Sequence, residues 1–291
     1  LGKKVVHTLT SRGCPYNCNF CAATEIFKQR IRYRNVDLVI KELKKYVELG
    51  YDSVIFYDDI FTCHKKRVLD LCEKMISDKL NLKWMCFTRT NTVNGELLTK
   101  MKDAGCYLIT FGCESGNQKT LDLLNKKLTI EQNRQGIKLT HQAGILAASS
   151  FMIGLPQEDR LDIEQTLDFA RASELTYAYF PIFEPYKGTP IFEISKQEGY
   201  WKEDSRFKNS LLGYQEEIWV PKGVTREEIE KLAKKAFKIF YLRPKIIFRI
   251  LKHLISKLSF SRKVKFLFFV LDYFILKNFR FLRKRRFGAK Y

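Results

Sequence analysis

Cys14, Cys18 and Cys21 fall within eight residues, in the run Arg-Gly-Cys-Pro-Tyr-Asn-Cys-Asn-Phe-Cys. They follow an alternating apolar segment (Val5, Val6, Thr8, Leu9), at the point where a strand would end. Three thiolates from one short loop can hold three irons of a cubane cluster and leave the fourth iron without a protein ligand. An iron with a free position can bind and activate a small molecule, whereas a purely structural cluster takes four cysteines. Zinc is the main competitor, but its closed structural sites want four Cys or His ligands, usually as two separated pairs. Only His7 lies near in sequence, and no second pair follows.

The segments that must position this loop alternate between strand and helix. Ser53–Tyr57, Trp84–Thr88, Tyr107–Phe111, Leu146–Ile153 and Tyr177–Phe183 are short, mostly apolar runs, as expected of parallel strands covered on both faces. Between them lie amphipathic helical patterns. Val36, Val39, Ile40, Leu43 and Val47 recur at helical spacing, with Asn35 as N-cap and Gly50 beyond the end. Val68, Leu71, Cys72, Met75 and Ile76 repeat the pattern, as do Leu97, Leu98, Met101 and Ala104, bounded by Asn94 and Gly105. Thr129 and Gln132 have the spacing of a capping box. Six strands with helical crossovers predict a parallel α/β sheet or barrel.

Polar residues cluster just after the apolar runs: the cysteine loop, Asp58-Asp59, Arg89 and Asn91, Glu114-Ser115-Gly116, Gly154-Leu155-Pro156 and Glu184-Pro185-Tyr186. In parallel α/β folds such positions gather at one mouth, the carboxyl end of the sheet, where active sites form.

The chain has 291 residues and is 45% hydrophobic, enough for one large packed domain and an appendage and too apolar for a disordered protein. The other five cysteines (Cys63, Cys72, Cys86, Cys106, Cys113) are scattered through apolar segments and read as buried small side chains. With no signal peptide pattern, a reducing cytoplasm is the expected location. The start at Leu1, with a strand almost at once, leads us to expect a piece of a longer protein. Charge is uneven: of 52 Lys+Arg and 32 Asp+Glu, 20 and 4 lie in residues 224–291, giving +16 there and +4 in residues 1–223. Composition therefore marks residues 224–291 as a separate basic region.

These residues resemble the radical S-adenosylmethionine (SAM) superfamily, through the Cys-x3-Cys-x2-Cys spacing with Phe20 before the last cysteine. The resemblance continues through Asp58-Asp59-Ile60-Phe61-Thr62, Trp84-Met85-Cys86-Phe87-Thr88-Arg89, Gly112-Cys113-Glu114-Ser115-Gly116 and Phe151-Met152-Ile153-Gly154-Leu155-Pro156. Pro185-Tyr186-Lys187-Gly188-Thr189 and Phe240-Tyr241-Leu242-Arg243-Pro244 extend it to nearly all of residues 5–250. Within the superfamily it is similar to the group that often carries an upstream cobalamin-binding domain, including methylases and the anaerobic magnesium-protoporphyrin ester cyclase.

The resemblance implies a partial parallel (β/α)6 barrel of the radical SAM type in residues 1–223, followed by a helical basic C-terminal extension in 224–291. It implies one 4Fe-4S cluster on Cys14, Cys18 and Cys21, with the free iron chelating SAM. An electron from a reduced flavodoxin or ferredoxin type donor would cleave the sulfonium bond and release a 5′-deoxyadenosyl radical. Phe20 would pack beside the adenine, and Glu114 would hold the ribose hydroxyls. Asp58 or Asp59 would meet the methionine ammonium. Arg89 would pair with the methionine carboxylate or else form a structural salt bridge. Ile153 and the Gly154 turn would close over the adenine, and Gly13 and Pro15 would shape the cysteine loop. Two departures stand out. No cobalamin domain fits before Val5, so cobalamin enters only from an upstream or separate domain. No later cysteine group follows Cys113 for a second cluster.

From Phe237 to Tyr291, Lys and Arg interleave with Phe, Ile and Leu. The run Phe266–Leu276, broken by Asp272, is shorter than the ~20 apolar residues that span a bilayer. Cations flank it, as suits a helix lying in an anionic membrane interface at the inner face, each basic residue adding about 1 kcal/mol. Packing back on the barrel and binding nucleic acid are the alternatives for this segment. His64, His141 and His253 are given no role. The expected function is hydrogen abstraction from an apolar or lipid-like small molecule, leading to methyl transfer or ring formation. A radical SAM tRNA-modifying enzyme, a non-catalytic iron–sulfur electron carrier or sensor, and a zinc-bound structural domain remain open beside it.

Overall fold

The computed structural model describes residues 2, 4–203, 217–244 and 246–248. The chain divides into two compact units, Leu1–Tyr241 and Leu242–Tyr291. The expected amphipathic membrane segment within 237–291 therefore lies largely outside the described residues. Among those described, no helix is long and apolar enough to cross a membrane.

Six strands form one parallel sheet in the order of the chain. β1 (Val5–Thr8) pairs with β4 (Ser53–Phe56), β4 with β5 (Lys83–Thr88), and β5 with β6 (Cys106–Glu114). β7 (Leu146–Phe151) and β8 (Tyr177–Tyr179) complete the series. The crossovers carry α2 (Val36–Glu48), α3 (Lys65–Ser77), α4 (Gly95–Asp103), α5 (Gln118–Leu123), α6 (Ile130–Gln142) and α7 (Arg160–Ala172). Between β1 and β4 the chain inserts an antiparallel hairpin, β2 (Ser11–Gly13) and β3 (Ile31–Tyr33), with α1 (Ala22–Phe27) between its strands. Among the described residues β1 and β8 are edge strands, so the barrel is partial, as expected. After β8 come α8 (Pro190–Glu198), the antiparallel pair β9 (Gly199–Glu203) and β10 (Glu217–Pro221), and α9 (Arg226–Tyr241).

The caps expected from sequence form. Asn35 Oδ1 accepts from the N–H groups of Asp37 and Leu38, Asn94 accepts from Leu97, and Thr129 with Gln132 makes the reciprocal capping box of α6. His64 caps α3 by accepting the Arg67 N–H at 3.2 Å, a role that its position alone did not suggest. All four residues of β4 are buried, and Ile55 among them lies on the face of the sheet that lines the barrel's cavity. Cys72, Cys86, Cys106 and Cys113 are buried, and Cys63 only partly so. The expected strand Tyr177–Phe183 regularises only as far as Tyr179. Pro181 has no N–H for the ladder, and pairing resumes as a single bridge between Ile153 and Ile182.

Trp84, fully buried, packs edge-on against Phe56 at 5.4 Å and donates its indole N–H to the Ala104 carbonyl at 2.8 Å. It thereby ties β5 to the turn that begins β6. Trp84→Phe removes that donor and part of the ring contact. We expect a loss of about 2 kcal/mol, measured by urea denaturation of the full chain.

Candidate active site

The cysteine loop hangs between β2 and α1 and is fastened at both ends. Asp58, just past β4 and 1% exposed, accepts the Thr10 N–H, the Thr10 hydroxyl at 2.7 Å and the Ser11 hydroxyl at 2.5 Å. Arg67 donates to the Thr10 carbonyl at 2.8 Å, closing the other side of that turn. Asp59 accepts the Gly13 N–H at 2.8 Å, one residue before Cys14. At the far side, the Asn19 N–H and Nδ2 donate to the carbonyls of Leu124 and Leu123 at 3.0 and 2.9 Å. Two adjacent acids and a turn some hundred residues away thus fix the backbone that presents the thiols.

The three thiols line one cavity of about 580 Å³ at the carboxyl ends of the strands, with Phe20, Asp59, Arg89, Glu114 and Lys126. None is in a disulfide. Burial pushes the Cys14 thiol up to about 11, and the sulfurs of Cys18 and Cys21 add to the rise. Cys21 is raised too, first by burial and then by Cys18. Three thiolates gathered here call for positive charge among them, which a metal cluster provides. Among the described residues, no three His, Cys, Asp or Glu side chains converge as around one metal ion. A cubane makes a different demand, one thiolate for each of three irons, and the donor set suits it.

Arg89 is buried beside the loop. Its guanidinium lies over the Tyr16 ring at 3.8 Å, donates from Nη1 to Cys18 Sγ at 3.5 Å and from Nη2 to the Lys126 carbonyl. Glu114 ends β6 at a bulge: Gly112 faces Ser150 and Glu114 faces Phe151, leaving Cys113 unpaired between them. Its φ of 66° lies in the left-handed region, strained for a side chain of this size. The bulge turns the carboxylate into the cavity. There Lys126 Nζ donates to Oε1 at 3.0 Å and the Ser150 hydroxyl to Oε2 at 3.3 Å. A Cβ on Gly112 would stand 2.3 Å from Glu114 Oε1, so a larger residue there would displace the tips of this acid–lysine pair.

Of the residues singled out in sequence, Cys14, Cys18, Cys21, Phe20, Asp59, Arg89 and Glu114 meet at the cavity. Asp58 does not line it; its carboxylate is consumed by Thr10 and Ser11. Ile153 and Gly154 lie behind the lining. Ile153 is buried with Ile163, Leu167 and Ile229, and α9 sits against the Gly154 turn. Thus the first helix of the basic segment packs within the first unit. Lys126 and Tyr16 were missed. Lys126 stands between Asn125 and Lys127, both with positive φ, in a turn whose sequence gives no sign of facing Glu114.

A parallel partial barrel with its thiol loop after the first strand has the form of an enzyme that works at the carboxyl ends of its strands. Residues 8–170, more than half of the chain, match the Radical SAM superfamily, and the chain belongs to it. That fold implies a 4Fe-4S cluster and SAM. An uncharacterized methyltransferase of Pyrococcus horikoshii is 35% identical, covering 83% of this chain and 52% of the relative. The anaerobic magnesium-protoporphyrin IX monomethyl ester cyclase of Cereibacter sphaeroides is 29% identical over 84% of this chain and 40% of its own length. The chain thus spans about half the length, or less, of the curated relatives it matches. Among solved structures, the radical SAM methyltransferase TsrM of Kitasatospora setae, with cobalamin and a 4Fe-4S cluster bound, superposes with a TM-score of 0.68. It is 16% identical, over 78% of this chain and 52% of that one, a likeness of fold.

The Gly154 turn is held by Glu158, whose carboxylate accepts the N–H groups of Gly154 and Leu155 at 2.8 and 3.1 Å. Burial pushes this carboxyl up to about 7 despite those two donors. The folded protein therefore keeps a proton that the unfolded chain releases near the ordinary value of 4.5. This contribution to stability is complete below that value and is lost as pH rises to about 7. Urea denaturation of the Glu158→Gln variant should lack this component, on the order of 2–3 kcal/mol in wild type between pH about 4.5 and about 7.

Proposed function

We propose that Cys14, Cys18 and Cys21 hold a 4Fe-4S cluster, and that the cavity beside them receives SAM. The chain then abstracts hydrogen from an unreactive carbon of an apolar or lipid-like molecule, in the service of methyl transfer or ring formation. The observation that carries this reading is the gathering of three free thiols, the Glu114–Lys126 pair, Asp59 and Arg89 around one cavity. When bound, the cluster supplies the electron for reductive cleavage of SAM.

Each residue then has a task set by its surroundings. Arg89 sets its positive charge beside Cys18 Sγ. Asp59 receives Gly13 through Oδ2 and keeps Oδ1 for the ammonium group of the methionine moiety. Glu114, paired with Lys126 inside the cavity, accepts the ribose hydroxyls. Phe20 packs on the cluster of Leu124, Leu155, Phe183, Ile191 and Trp219 and offers an apolar wall to the adenine. Leu155 in that cluster follows Ile153 and Gly154 directly, so this turn backs the wall. Asp58 acts at one remove, by holding the loop in place. A reduced flavodoxin or ferredoxin type donor supplies electrons, and the basic region brings the chain to an anionic inner membrane face in the cytoplasm.

Anaerobic reconstitution tests the site. Adding SAM should shift the spectrum of the reconstituted cluster, because an open iron changes its ligands. Cys18→Ala should abolish both the iron chromophore and SAM cleavage; an unshifted wild-type spectrum, or cleavage retained by the variant, overturns the assignment. Flotation on anionic liposomes tests the membrane reading. The full chain should float and residues 1–241 should not, the cut falling after α9 because that helix belongs to the first unit. Equal flotation removes the support for a lipid-side substrate.

A further inference from the structure

A second and larger cavity, about 1020 Å³, opens beside the first, along edge strand β1 and the β2–β3 hairpin. Its lining includes Arg12 and Arg32, which face each other directly across the hairpin. Directly paired residues project from the same face of a ladder, so the two arginine side chains leave the hairpin on one side. Like charges in that position oppose pairing. Among the described residues neither arginine's side chain has an ion pair, hydrogen bond or ring contact, and both residues are exposed. Arg34 in the same cavity is already neutralised, by Glu42, which also accepts from Thr8 and Tyr46. The cavity therefore carries two uncompensated positive charges at a position where local rules of strand pairing are broken, as happens at functional sites.

The two cavities meet at Tyr57, which lines both. Its ring stands 5.1 Å from His7 on one side and 5.2 Å from Phe87 on the other. His7, Tyr57 and Phe87 thus form a row of rings across β1, β4 and β5. The row runs from the arginine pair to the wall of the cysteine cavity. A row of rings accepts an apolar or flat molecular surface. A pair of arginines accepts a carboxylate or phosphate through charge-assisted hydrogen bonds.

We infer that the substrate is an acid: an apolar or flat body bearing a carboxylate or phosphate, which Arg12 and Arg32 grip together while the body lies over Tyr57 toward the cysteine loop. The inference rests on the reading of that loop as the reacting centre. It adds that recognition takes place at the open edge of the barrel, through a charged group remote from the carbon that reacts. Binding of the acid also relieves the repulsion between the arginines, so the hairpin becomes more stable when the site is filled.

Decanoate, decyl phosphate and decanol, below their micellar concentrations, test this by calorimetry on the full, anaerobically reconstituted chain. The acids should bind at least about tenfold more tightly than decanol, and more weakly as salt rises. The tighter of the two names the acid group. Arg12→Gln with Arg32→Gln should reduce both acids to the level of decanol. Arg32→Glu should abolish acid binding without lowering the thermal midpoint, because it sets opposite charges across the hairpin, which shows that loss of binding is not loss of fold. Acids that bind no better than decanol, or binding unchanged in the double variant, overturn the inference. The SAM-induced spectral shift, read on the same wild-type sample, separates the two readings. A shift without acid binding sinks only the acid site; acid binding without a shift sinks the cluster reading and leaves the arginine pair an anion site but not a substrate site.

Discussion

The site depends on the carboxylate of Asp58. It stands at the end of β4, out of water, and takes hydrogen bonds from the backbone and hydroxyl of Thr10 and from the hydroxyl of Ser11. Those residues form the link between β1 and the hairpin that carries the cysteine loop. A buried carboxylate with several donors is a strong and directional tether, and each of those donors would be expensive to leave unmade. The parallel pairing of β1 with β4 brings Asp58 within reach of Thr10. The sheet therefore sets the position of the thiols through one side chain, and Asp59 beside it sets the residue before Cys14.

Around that tether the charges are arranged in pairs, each with a consequence. The bulge at the end of β6 aims Glu114 inward, and the missing side chain of Gly112 leaves space for Lys126 to meet it. Arg89 is clamped between the Tyr16 ring and the Lys126 carbonyl, so its charge rests on the sulfur of Cys18. The arginines of the hairpin break the pattern, standing opposed and unneutralised. Ion pairing thus marks the inner cavity, through Glu114 and Lys126, and is absent from the side chains of the hairpin arginines in the outer one. On the reading proposed here, cofactor chemistry belongs to the inner cavity and recognition of the reacting molecule to the open edge of the barrel.

Much of this was legible in the chain. The apolar runs and their helical crossovers predict a parallel α/β sheet or barrel, and the six strands form one parallel sheet in chain order. Asn35, Asn94 and the Thr129–Gln132 box start helices where local hydrogen bonding says they should. Local signals misled where a distant partner intervened. Tyr177–Phe183 reads as one strand, yet Pro181 interrupts it. His64 gave no sign of a role and caps α3. The charge step at residue 224 marks a change in composition, while the apolar face of α9 belongs with Ile153 and Ile163.

The sequence by itself determined the thiol set, the alternation of strand and helix, and the gathering of polar residues at one end of the sheet. Those features follow from spacing and periodicity, which act over a few residues. Tertiary structure alone decided that Asp59 and not Asp58 lines the cavity, that Lys126 is the partner of Glu114, and that Arg12 confronts Arg32. Each of those outcomes turns on strand register or on a bulge. A shift of one residue would turn the side chain to the opposite face, and neighbouring sequence does not encode which face that is.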